Sequence, residues 1–384
     1  MEKKESQDML EHNAEQLPNT YAQEENIPRL QLDMFSMLDG HRGLTQVGKR
    51  YSNSITIIDL MPRFYRGIGS RIPISKAGSS KKSAKFENRF RFRGEECICT
   101  VSPAIIEDKD PKNKETIEYL AFPSSAEELI EKVIFMIAST QGVAKQTIGG
   151  NTRYVVTFSL YQIKQYLKEM KSDKSYKQIK QSLLIIRDSS TRISKNNGDR
   201  WVEITKDVWA DSVIEVSGNG RGRDKCCIAF SDFVVEEILN VEYRQVVFSR
   251  YASNSKTFTR YLDLYLSNMW INANINQREG ISLQTIMESY GKRDKSMITK
   301  RRDMREGLKE LTDRGVIKFV PSADSCINED GEEDFIYYIE PTDEFVEEMI
   351  KANAKKKGLK VLNSEIINGT RANLPKKISP IYSL

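Results

Sequence analysis

The spacing of apolar residues changes several times along the chain, and each change predicts a new element. From Phe86 to Phe122 apolar and polar positions alternate, as in Phe86, Phe90, Phe92 and then Cys97, Cys99 and Val101, which predicts strands opening a folded domain. At Ser124 the period becomes helical. Ser124-Ser125-Ala126-Glu127 is a capping-box pattern, and Leu129, Val133, Met136 and Ile137 follow at helix spacing up to Ser139–Gly142. A strand over Tyr154–Phe158 leads to a helix capped by Ser159 that runs to about Met170, and a second helix spans about Ser172–Asp188. Thr191–Ser194 and Trp201–Thr205 then flank Asn196-Asn197-Gly198-Asp199, a hairpin signal.

The same order recurs downstream. Helices are predicted over Thr257–Ile271, Leu283–Ser289 and about Ser296–Arg314; Gly315 then precedes a strand Val316–Val320, and a polar loop Asp324–Asp334 leads to a strand Phe335–Ile339. A last helix, Asp343–Lys357, ends in a basic run. Helix, strand, helix, short turn, helix and hairpin is the order of a winged helix-turn-helix. The fold class expected is therefore α+β, with tandem winged-helix domains behind a disordered N-terminal arm. The expected boundaries are a disordered arm over 1–84, a first domain with its preceding strands over 85–240, a second over 241–345, and a basic C-terminal helix and tail over 346–384.

Charge divides along the same lines. The 384 residues carry a net charge of +5, a weak pointer to a polyanion until it is resolved by position. Residues 1–40 hold nine Asp/Glu against three Lys/Arg, and residues 41–100 hold thirteen Lys/Arg against four Asp/Glu. An acidic leader followed by a basic arm is the expectation for a chain that meets nucleic acid. No stretch approaches the roughly 20 apolar residues of a membrane span, and the start lacks the apolar core of a secretory signal, so a cytoplasmic location and no membrane partner are expected.

The second helix of a helix-turn-helix pair enters the major groove, and the wing reaches backbone or minor groove. In the first domain Ile179, Leu183 and Ile186 form a core stripe. Lys174, Lys177 and Gln181 are then turned outward, with Ser175 and Lys180 near the edges, and Arg192, Lys195 and Arg200 lie on the hairpin. In the second domain Lys292, Arg293 and Lys295 lie in the turn, and Thr299, Arg302 and Arg305 point away from a core of Met297, Met304, Leu308 and Leu311. Arginine forks suit guanine O6 and N7, so this second helix is the stronger candidate for reading bases. Asp303, Glu306 and Glu310 lie on the same helix, and a salt-bridged surface helix is the competing interpretation.

Enzyme chemistry finds little support. The cysteines, Cys97, Cys99, Cys226, Cys227 and Cys326, form no CxxC pair and read as small thiols in a reducing compartment. There is no GxxxxGK[ST] phosphate loop, and the run Gly218–Arg223 precedes a strand rather than a helix N-terminus. His12 and His41 are the two histidines, too few for the metal pair of a rolling-circle nickase. No catalytic residue, metal or cofactor is expected.

One short motif adds a partner. Gln31-Leu32-Asp33-Met34-Phe35 closely resembles the Gln-Leu-Ser/Asp-Leu-Phe peptide by which bacterial proteins dock into the DNA-polymerase sliding clamp, departing only at Met34. Leu32, Met34 and Phe35 would fill an apolar pocket and Gln31 would supply an amide. Clamp motif, basic spacer, strands and two winged helices in this order resemble the TrfA-type plasmid replication initiators and, more distantly, the two-domain iteron-binding Rep proteins. Fragments that add to the likeness are Lys225–Phe230 before Val234-Val235, Thr259–Tyr265 and Glu310–Ile317. The resemblance spans residues 30–340. It implies a bacterial plasmid protein that binds directly repeated double-stranded origin sites and helps open an adjacent AT-rich duplex, which makes single-stranded DNA a further partner. It also implies recruitment of DnaA, the replicative helicase and the clamp, and a homodimer as one form of the protein. The alternative is a winged-helix transcriptional repressor or a plasmid partition protein.

Overall fold

The computed structural model describes residues 50–67, 69–74, 84–92, 94–109, 115–148, 151–196, 201–205, 207–214, 225–292, 295–328 and 331–373. The chain is a mixture of helix and strand, as an α+β class requires. It opens with β1 (Tyr51–Ile55), α1 (Thr56–Leu60), β2 (Arg71–Pro73), β3 (Phe86–Phe92), β4 (Glu95–Ser102), β5 (Ala104–Lys109) and β6 (Thr116–Ala121). Then come α2 (Ser125–Gln141), β7 (Ala144–Ile148), β8 (Asn151–Ser159), α3 (Leu160–Glu169), α4 (Tyr176–Asp188) and the hairpin β9 (Ser190–Asn196) with β10 (Trp201–Thr205). A second hairpin, β11 (Trp209–Ile214) and β12 (Lys225–Phe230), precedes α5 (Asp232–Leu239), β13 (Tyr243–Val247) and α6 (Phe248–Ser253). The rest is α7 (Thr257–Met269), β14 (Glu279–Ser282), α8 (Leu283–Ser289), α9 (Met297–Asp313), β15 (Ala323–Ile327), β16 (Glu333–Ile339) and α10 (Asp343–Asn373). No helix among the described residues is long and apolar enough to cross a membrane.

The predicted helix starts hold except at α4, which begins at Tyr176 behind its cap Ser175 and not at about Ser172, so that Lys174 precedes the helix. At α2 the Ser124 amide donates to Glu127 Oε2 at 2.8 Å, closing the capping box, and Ser159 Oγ accepts from the Gln162 amide at the start of α3. Most of α2 is buried, and with α3, α4 and the sheet β11-β12-β8-β7 it encloses the largest core. The second core joins α7, α8, α9 and the sheet β14-β16-β15.

Three expectations are corrected. First, residues 50–66, expected in the disordered arm, are part of the folded body. β1 pairs antiparallel with β13. The residues that follow are shared among three cores: Ile55 and Ile58 enter the first, Leu60 the second, and Met61 a third with Phe90, Cys97, Cys99, Val101 and Ile193. The basic segment is therefore partly structural, with Arg63 buried in a fork on Glu131.

Second, the hairpin β9-β10 does not join the strand that precedes α3. It pairs with β4 in the sheet β10-β9-β4-β3, whereas β8 pairs with β7 and β12. The cause is the third core, where Ile193 of β9 meets Cys97, Cys99 and Val101 of β4. In the second unit the hairpin does pair with the strand that precedes the helix pair, in the order β14-β16-β15. Its first strand is Ala323–Ile327 and not Val316–Val320, because Val316 and Ile317 are buried beneath α9 and only a single bridge, Ile317 with Pro341, forms there.

Third, the boundary expected at 240/241 does not separate independent units. Tyr243, Val246, Phe248 and Tyr251 belong to the first core. Two braces tie the halves: the segment 50–66, where Asn268 of α7 donates to Ser54 and accepts from Thr56, and α10. The start of α10 lies in the second core through Phe345, Val346 and Met349. Further along, Asn353 accepts from Arg244 at 2.7 Å, Lys356 and Lys360 pair with Glu242, and Asn363 donates to the Leu239 carbonyl.

Candidate nucleic-acid interface

In the second unit the turn between α8 and α9 needs its glycine. Gly291 has φ +82, and a Cβ there would stand 3.1 Å from Asn88 Nδ2 of β3. Ser296 caps α9, its Oγ accepting from the Thr299 amide. Met304, Leu308 and Leu311 are fully buried, and Gly307 lies close against the ring of Phe258, so this face of the helix is fixed to α7.

The opposite face carries Ile298, Arg301, Arg302, Arg305 and Lys309, all exposed. Three of the helix's four acidic residues are drawn elsewhere, Asp303 to Lys292 at 2.9 Å, Glu306 to Lys256 and Glu310 to Ser255, while Asp313 is exposed in the last turn. Arg302 keeps one long contact to Asp303, 3.6 Å, and its side chain is 64% exposed. Arg305 makes no salt bridge among the described residues. Of the predicted contacts, Arg302, Arg305 and Lys295 are thus presented to solvent. Thr299 is half-buried and closes on Ser296, and Lys292 is held by Asp303 and lies 5.4 Å over Tyr290.

The hairpin of this unit is fixed to the helix pair by one buried carboxylate. Asp334 accepts from Ser282 Oγ (2.6 Å), the Gln284 amide (2.9 Å) and the Phe335 amide (2.8 Å), and buried Lys300 donates to Gln284 Oε1 at 3.0 Å. Arg301 lies 4.1 Å over Phe335, which orients its guanidinium between α9 and β16. The hairpin itself is acidic at Asp324, Glu332 and Glu333, so it is poorly suited to phosphates.

The first unit differs from its expectation. Ile179, Leu183 and Ile186 are buried as predicted, and Ser175 caps α4. But Lys177 and Gln181 are engaged by side chains of the sheet β2-β6-β5, which sequence spacing could not place there, although Lys177 stays exposed. Lys177 pairs with Asp108 of β5 at 2.7 Å, Arg71 of β2 reaches Asp108 (3.4 Å) and Gln181 (3.5 Å), and Ile185 packs on Ala104, Ile106 and Ala121. Hydrogen bonds from Lys177 and Gln181 hold the Asp108 carboxyl at a pKa of about 2. Lys174 and Lys180 are half-buried, Arg192 is exposed on β9, and Lys195 pairs with Glu95 at 2.7 Å.

Arg200, Arg293 and the motif Gln31–Phe35 lie outside the described residues. The sequence reading missed Ile298, Arg301 and Lys309. Their spacing with Arg302 and Arg305 would have revealed them as one stripe.

No protein-family model matches the chain, and no curated protein matches it. Among solved structures it is similar to domains 2 and 3 of RctB, at 10% identity over 75% of this chain and 98% of that chain, with a TM-score of 0.45. A second crystal structure of those domains gives 10% identity, 77% and 99% coverage and a TM-score of 0.44. The Pi initiator protein in complex with iteron DNA is similar at 13% identity over 55% of this chain and 91% of that one, with a TM-score of 0.35.

Proposed function

We propose that the protein is a non-enzymatic replication initiator that binds double-stranded origin repeats through two winged-helix units, with α9 as the helix that reads bases. The observation that carries this reading is the outward stripe of α9. Its arginines project from a helix fixed by Met304, Leu308 and Leu311, while Asp303, Glu306 and Glu310 are engaged by Lys292, Lys256 and Ser255. A rigid helix presenting two solvent-facing guanidinium forks matches the O6 and N7 acceptors of guanine in the major groove.

The first unit takes the supporting role in this reading. With Lys177 and Gln181 engaged by Asp108 and Arg71, its contribution is to phosphates, through Lys174, Lys180 and Arg192. Recruitment of the sliding clamp is assigned to Gln31–Phe35, and of DnaA and the replicative helicase to the resemblance with plasmid initiators. Strand opening then follows from binding and bending, with no bond made or broken.

The test is selection of binding sites from a random duplex pool by the full-length protein. Arg302→Ala and Arg305→Ala should each lower affinity for the selected site by about 1–3 kcal/mol and relax the preference for guanine, with random DNA little affected. Equal loss on every sequence would remove the base-reading role. Direct repeats around the coding region favour an initiator, whereas a single palindrome over its promoter favours a repressor. Alanine at Leu32 and Phe35 should abolish binding to the purified clamp.

A further inference from the structure

In the first turn of α9 every side chain but one is committed to the protein. Met297 packs on the second core, Thr299 closes on Ser296 Oγ at 3.0 Å, and Lys300 is buried against Gln284. Ile298 is 82% exposed, more than any other large apolar side chain among the described residues. It heads the outward stripe, with Arg302 and Arg305 at i+4 and i+7.

Ile298 is the one apolar side chain of the outward stripe, whose other members are Arg301, Arg302, Arg305 and Lys309. In the major groove the one apolar feature of the base edges is the 5-methyl group of thymine. Isoleucine has no donor or acceptor, so it cannot mistake a polar edge for that methyl. Its χ1 is nearly fixed in a helix, so little rotamer freedom is lost when it makes contact. The first turn of the recognition helix is also the part that comes nearest to the bases.

We propose that Ile298 is a specificity residue that packs on a thymine methyl, so that α9 selects a T·A pair beside the guanines taken by its arginines. This rests on the proposed role of α9. It adds discrimination against cytosine and uracil, which the arginines do not supply.

The test uses the full-length protein and a duplex selected by it from a random pool. Each thymine of that duplex is replaced singly by deoxyuridine, which removes the methyl and leaves every hydrogen-bonding group in place. At one or two positions the wild-type protein should lose about fourfold in affinity, the value of one buried methyl at about 0.8 kcal/mol. Ile298→Ala should bind the thymine and uracil duplexes equally at those positions and keep its preference for guanine. The inference is overturned if no thymine is methyl-sensitive, or if the sensitivity persists in Ile298→Ala because another side chain makes the contact. Arg302→Ala and Arg305→Ala are measured in parallel. If they leave guanine selectivity unchanged, the role of α9 has failed; if they relax it while Ile298→Ala changes nothing, only the thymine contact has failed.

Discussion

The guanidinium of Arg66 lies 4.3 Å over the ring of Tyr290 while its two terminal nitrogens fork onto Glu128 at 2.6 and 2.9 Å. Arg66 belongs to the N-terminal brace, Glu128 to α2 and Tyr290 to the end of α8, so one side chain joins both units at the turn that leads into α9. Its pKa is raised because the attraction of Glu128 and Tyr290 outweighs the cost of burial. Arg66→Ala would leave Glu128 buried without its partner and should destabilise the protein by about 3–5 kcal/mol in urea unfolding. Arg66→Lys, which keeps the charge and loses the fork, should recover part of that.

Asp59 and Lys132 form a second buried pair between the brace and α2, with Ser54 also donating to Asp59. Removing one partner should be far worse than removing both. Asp59→Ala should cost about 3–5 kcal/mol, while the double variant Asp59→Leu, Lys132→Met should lie close to the wild type or above it. Urea midpoints of the three proteins measure the difference.

Asp108 couples α4 to β5, and its depressed pKa gives that coupling a pH window. A carboxyl held at about 2, against an ordinary value near 3.9, stabilises the fold fully above about pH 4 and loses that contribution as pH falls toward 2. The stability difference between the wild type and Asp108→Asn should therefore shrink over that range. At neutral pH the same variant releases Lys177 from its partner. Its affinity for random duplex should rise and the salt dependence of binding should steepen, a change read by titration at several salt concentrations.

Thiol reactivity checks the third core. Burial pushes the Cys99 thiol up to about 12 and raises Cys97 as well, so neither supplies thiolate near neutrality. Native labelling at pH 8 should modify Cys227 and Cys326, which are only half-buried, well before Cys97, Cys99 and Cys226.

Helices were legible because their signals are local. The capping box at Ser124, the cap at Ser159 and the stripe Ile179, Leu183, Ile186 need no knowledge of distant residues. The brace over 50–66 was not, because its apolar residues serve three different cores and so follow no period; Ile58, Leu60 and Met61 each answer to a different neighbour. The face of α4 misled for a related reason. Its spacing marks Lys177 and Gln181 as outward, and they are outward from the helix core, but Asp108 of β5 and Arg71 of β2 engage them. On α9 Arg302 keeps one long contact to Asp303 and Arg305 makes no salt bridge among the described residues, so there helix periodicity identified both as exposed.

Helix α10 is 31 residues long, about 46 Å at 1.5 Å per residue, and it is anchored to both units. On the proposed function, the angular phase between the DNA-facing sides of the two units is therefore stored in the polypeptide, and DNA must match it by its own twist. On the proposed reading, inserting about five base pairs, half a helical turn, between the parts of the site met by the two units should reduce binding to that of one unit, whereas about ten should be better tolerated. Truncation before Asn353 removes the contacts to Arg244, Glu242 and Leu239, and should weaken the dependence on that phase without abolishing it, because the segment 50–66 still ties the two units.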